Sequence, residues 1–108
     1  MNIVSPEEGK EAYNKDKVVG TKMLSKEEVD VVHLEIAPGK SLPVHSTATE
    51  VFFYVLEGTG EIEVGDEREP VSKDTLVESP RNIPHGLHNT GTGPFRVLVV
   101  KTPRPAWA

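Results

Sequence analysis

The sequence predicts an all-β sandwich or barrel built around one core. Three observations predict it: short runs of β-branched and aromatic residues at close spacing, turn residues between them, and the near absence of a helical period. The turn positions are Gly58, Thr59-Gly60, Gly65-Asp66, Pro80, Pro84 and Gly91-Thr92-Gly93-Pro94. The chain has 108 residues, 36% of them hydrophobic and 6% aromatic. That is the size of a single domain, with an interior thin enough for a partner subunit to add usefully to it.

Ser5-Pro6-Glu7-Glu8 carries a helix start, with Ser5 as cap, Pro6 at the first helical position and Glu8 as the capping-box carboxylate. Gly9 soon weakens it, so residues 1–16 are expected to be an arm with at most a short helix. From Lys17 the composition turns β-branched. Lys17 to Leu24 and Val29 to Ala37, separated by the polar Ser25-Lys26-Glu27, predict a hairpin. In its second strand Val32, Leu34 and Ile36 share one face and His33 and Glu35 the other. A Gly39 to Pro43 loop then delivers His45, and six apolar residues from Val51 to Leu56 follow. Side chains alternate along a strand, so Val51, Phe53 and Val55 are expected inside and Glu50, Phe52 and Tyr54 outside. Phe52, Tyr54 and Leu56 make the outer face apolar as well, and it must be covered, by a second sheet or a second subunit. Glu61 to Val64, Glu67 to Val71, Thr75 to Glu78, Gly86 to Asn89 and Phe95 to Lys101 complete the strands. Residues 17–101 therefore form the barrel domain. Residues 102–108 form a tail, because Pro103 and Pro105 lack backbone donors. In that tail Trp107 covers a neighbouring subunit, lids a pocket, or lies loosely ordered.

The net charge of -5 and the absence of a basic cluster argue against a nucleic-acid partner. Cysteine is absent, so disulfides, thiolate nucleophiles and sulfur ligands are excluded, and any metal must sit on His, Asp or Glu. No apolar run reaches the length that spans a bilayer, and the expected setting is the cytoplasm, without membrane association.

Gly39 followed by His45 and a strand ending Tyr54-Val55-Leu56-Glu57-Gly58 resembles the first motif of the cupin family. Pro80-Arg81-Asn82-Ile83-Pro84-His85 with Asn89-Thr90-Gly91 resembles the second. The resemblance implies a small jelly-roll β-barrel, a double-stranded β-helix, commonly dimeric. It also implies a divalent ion held by three histidines and a glutamate. Matched residue by residue, His45 and His85 take the outer two histidine places. Thr47 stands where the second histidine belongs and Val51 where the glutamate belongs, with Glu50 one position early. Glu50 joins the ligand set only if a β-bulge rotates it inward.

The implied metal site is thus reduced to His45, His85 and Glu50, holding a zinc, manganese, iron, nickel or copper ion weakly, or holding none. Thr47, Val51, Phe53 and Val55 are expected to line a small-molecule pocket beside it. Asp74 and Asn82 occupy places where glycine is usual, and both types tolerate left-handed backbone. His88 is expected to be exposed and His33 structural. Arg68, Arg81, Arg96 and the acidic hairpin around Glu61, Glu63, Asp66, Glu67 and Glu69 read as solvated surface. Two functions follow from the resemblance: a metal-dependent enzyme of isomerase, lyase or dioxygenase type, and a metal-free ligand-binding or sensing protein. A purely structural dimerisation module is the third reading. A homodimer is the expected assembly.

Overall fold

The computed structural model describes residues 1–106 as ten antiparallel strands in two sheets. The strands are β1 (Lys10–Lys15), β2 (Val18–Lys26), β3 (Val29–Ile36), β4 (Ser41–His45), β5 (Glu50–Glu57), β6 (Thr59–Val64), β7 (Glu67–Ser72), β8 (Leu76–Ser79), β9 (His85–Asn89) and β10 (Phe95–Thr102). One sheet has the order β1-β2-β3-β10-β5-β8 and the other β4-β9-β6-β7. The hairpin predicted after Lys17 is β2 with β3. Among the described residues no helix is long and apolar enough to cross a membrane.

Alternation decides what each strand buries. In β5, Val51, Phe53 and Val55 are buried while Phe52, Tyr54 and Leu56 are only half-buried, as their parity requires. In β10, Phe95, Val97 and Val99 do the same. With Leu34 and Ile36 of β3 and Leu87 of β9 they form the core between the sheets. Gly60 shows how closely the layers meet at one end: a Cβ there would lie 2.5 Å from both the His88 carbonyl oxygen and the Phe95 ring. Only a residue without a side chain permits that approach.

Two differences from the expected organisation concern the first sixteen residues. The capping-box bonds form, since the Ser5 backbone N–H and hydroxyl both donate to Glu8 Oε1, at 3.2 and 2.9 Å. However, they close a single turn and not a helix. Lys10–Lys15 is an edge strand rather than an arm, a placement its polar composition hides because only Tyr13 faces apolar neighbours. Asp74 and Asn82 adopt φ of 65° and 66°, the left-handed backbone expected for them, and Asp16 and Lys17 do so too at the β1–β2 turn. At the other end, Trp107 lies outside the described residues.

Candidate functional site

The two motif histidines converge between the sheets. His45 ends β4 and His85 begins β9, and the two positions are direct cross-strand partners. Between Leu42 and His45 the register shifts, so β4 carries a bulge at Pro43-Val44. Proline supplies no N–H to the ladder, and the interruption re-aims the strand end so that His45 meets His85. The rings pack edge to face, with centroids 4.7 Å apart and an interplanar angle of 86°. Phe53 packs on His85 in the same manner at 5.2 Å.

Each imidazole is anchored through Nδ1. His45 Nδ1 lies 3.0 Å from the Pro43 carbonyl oxygen, an acceptor only, so Nδ1 donates to it and Nε2 is the nitrogen left to other partners. His85 Nδ1 lies 2.8 Å from Ser79 Oγ, itself buried on β8. His85 is only 2% exposed. Its pKa is pushed down to about 4, first by burial, then by His45 and Lys101, so the ring is neutral at pH 7. His45, by contrast, is exposed at the rim.

The histidines border a cavity of about 350 Å³ that reaches from Phe53 to the gap between the β1 and β4 edges. Its walls are mostly hydrocarbon: Tyr13 from β1, Val32 and Leu34 from β3, Leu42 from β4 and Val99 from β10. The lining residues with polar side chains are His45, His85, Tyr13 and Lys101. Of the residues expected to line a pocket, Phe53 does so. Thr47, Val51 and Val55 are buried but lie outside the cavity wall, Val51 and Val55 within the core.

Glu50 is the main correction to the expected ligand set. A bulge in β5 does occur, but it falls at Leu56, opposite Arg96 and Val97, too far along to turn Glu50 inward. The Glu50 carboxylate stays outside and accepts hydrogen bonds from the Arg81 backbone N–H (3.1 Å) and Nε (3.2 Å). Together with Asn82 N–H donating to the Thr47 carbonyl at 2.8 Å, this ties the loop before His85 to the loop after His45. Glu50 therefore positions the two motifs without touching the cavity. As an exposed pair it contributes at most about 1 kcal/mol.

The remaining histidines face the other way. His88 is half-buried, not exposed, held by Ser41 Oγ at Nδ1 and Glu63 Oε1 at Nε2, both at 2.7 Å. Its partners sit on neighbouring strands β4 and β6, which sequence alone does not pair. His33 is buried on the outer face, and its Nε2 accepts from Arg96 Nε at 3.1 Å. Burial and the guanidinium both lower its pKa. Arg68, Arg81 and Arg96 lie at the surface, as expected, each in an ion pair: with Glu61, Glu50 and Glu57 respectively. Lys101 was missed as a cavity residue. The signal was available, since Val97, Val99 and Lys101 share one parity.

The resemblance implies a metal, and the donor set decides whether one fits. Protein zinc sites use three or four ligands. Two imidazoles are present, Glu50 is turned away, and among the described residues no group of three His, Cys, Asp or Glu side chains converges. These residues do not fit a closed protein-held metal site.

A two-sheet antiparallel roll with histidines from two strand ends bordering a cavity between the layers defines a double-stranded β-helix with an internal pocket. The chain belongs to the cupin family: a sequence model of the cupin domain matches residues 32–101. It is 27% identical over 92 residues to auxin-binding protein 1 of Arabidopsis thaliana, a match covering 77% of this chain and 46% of that protein. The chain thus spans about half the length of that curated relative. Among solved structures it resembles TT1209 from Thermus thermophilus, at 28% identity and a TM-score of 0.79, covering 87% of this chain and 90% of that one. It also resembles the polyketide cyclase RemF from Streptomyces resistomycificus, at 23% identity and a TM-score of 0.83, covering 98% and 82%. The RemF likeness shows the fold alone.

Proposed function

We propose that this cupin binds a small molecule in the cavity between its sheets and does so without a resident metal. One observation carries the reading: a concave, largely hydrocarbon wall of ligand size bears few polar groups, and only two of them are strong metal donors. Pockets that hold small ligands have this composition, with a few polar groups to fix orientation. A curated relative is itself named for binding a small molecule, auxin. At neutral pH the uncharged His85 offers a ligand one donor and one acceptor nitrogen, of which Ser79 engages one.

A second reading has a specific observation in its favour. Both histidines are oriented through Nδ1, the arrangement in which imidazole ligands commonly present Nε2 to a metal. In this reading a bound substrate supplies the missing donors and an enzyme results. Protein purified without chelator separates the two. The metal-free reading predicts far less than one equivalent of any transition metal and a Tm unchanged by added Zn²⁺. One tightly held equivalent, lost in both His45→Ala and His85→Ala, would overturn it.

The assembly proposed with this function is a homodimer in the cytoplasm. Phe52, Leu98 and Val100 are half-buried, and Leu24 and Leu76 exposed, on the outward face of the six-stranded sheet, which supports a covering subunit there.

A further inference from the structure

Lys101 places a basic side chain on the wall of the cavity. It follows Val97 and Val99 in inward parity and sits opposite Asp30 on β3 and Val51 on β5. Lysine stems often lie on apolar surface with the ammonium in water, but here burial is the largest influence on the amine and lowers its pKa. The nearby carboxylate is shared. Asp30 is 1% exposed, and its Oδ1 lies 3.4 Å from Lys22 Nζ. One carboxylate, Asp30, is thus set between two lysines, Lys22 and Lys101. Among the described residues no carboxylate forms an ion pair with Lys101. Nor, among the described residues, does any aspartate or glutamate line the cavity. A desolvated cation without its own counter-ion is costly, and an anion brought in by a ligand relieves that cost.

Resting on the ligand-binding reading above, we propose that the cavity takes a small apolar carboxylate, its anionic head at Lys101 and its hydrocarbon part against Val32, Leu34, Phe53 and Val99. The volume, at the small end of the roughly 300–1,000 Å³ of ligand pockets, suits a single aromatic ring or a branched alkyl chain. The anion's selectivity comes from Lys101, and the hydrophobic wall supplies the rest of the affinity.

The test compares phenylacetate with its neutral near-isostere phenylacetamide by calorimetric titration of the full chain, with the His85 ring resonances reporting that binding is inside the cavity. The expected result is about tenfold tighter binding of the acid, the scale of one charge-assisted hydrogen bond. Lys101→Gln is expected to bring the acid level with the amide, and Lys101→Arg to retain the preference. Equal binding of acid and amide to the native protein, or a preference that survives Lys101→Gln, would overturn the proposal while leaving a ligand-binding cavity in place. Failure of both compounds to bind would overturn the proposal together with the reading it rests on.

Discussion

Acidification from pH 6.5 to pH 4 is expected to remove about 3 kcal/mol of stability through His85 alone. The folded-state pKa lies near 4, below the ordinary 6.5 that the unfolded chain regains. In that window the unfolded state binds the proton and the folded state does not, so stability falls as pH falls. Above pH 6.5 the imidazole is neutral in both states, and below pH 4 it is charged in both, so the slope is confined between these values. The magnitude follows from 1.36 kcal/mol per pKa unit. Denaturant unfolding followed across this range checks it by comparing the native chain with His85→Asn, which carries no titratable group there. The difference between their slopes isolates the histidine from the carboxylates. Equal slopes would show that His85 takes up its proton as readily in the folded barrel as in the unfolded chain.

Asn89→Ala is expected to cost about 3 kcal/mol, a fall in Tm of roughly 15 °C for a domain of this size. The buried Asn89 amide donates through Nδ2 to the carbonyls of Ile36 and Gly93, at 2.8 and 2.9 Å, and its Oδ1 accepts from Gly91 N–H at 2.9 Å. These bonds join the end of β3, the end of β9 and the turn into β10, holding the two sheets in register at the closed end of the core. Alanine takes a partner from the buried Ile36 carbonyl, and it also unties the turn into β10, where the Gly93 carbonyl and the Gly91 N–H lose their partners. Calorimetric unfolding of the variant measures the loss. Asn89→Asp serves as the companion, since it keeps the acceptor for Gly91 and loses both donors, and it is expected to be no more stable than the alanine variant.

The architecture was legible because turn residues and two-residue alternation are local signals. The parity of Val51, Phe53 and Val55 could be read from the chain and is what the structure shows. The same parity argument set Glu50 outside, and its pairing with Arg81 agrees. The pairing of His45 with His85 rested on the two motifs rather than on any periodicity, because no local rule brings β4 beside β9. Tyr13 illustrates what stays hidden. Its strand is polar and borders the cavity at a sheet edge, so its six residues carry no alternating apolar pattern. Thr47, Val51 and Val55 show the opposite limit: an inward side chain is easy to foresee, but whether it meets a neighbour or empty space depends on the far sheet. Lys101 lies between these cases, with readable parity but no hint from sequence that its carboxylate neighbour is shared with Lys22.

The central claim is spatial: the imidazoles of His45 and His85 pack against one another at the wall of the interior cavity, with no third protein ligand beside them among the described residues. Proton NMR of the histidine rings tests it most directly. The account predicts strong cross-relaxation between the His45 and His85 ring protons, and between His85 and Phe53, in metal-free protein at pH 7. Absence of the His45–His85 contact from a folded, metal-free sample, with its appearance only after a transition metal is added, would contradict it.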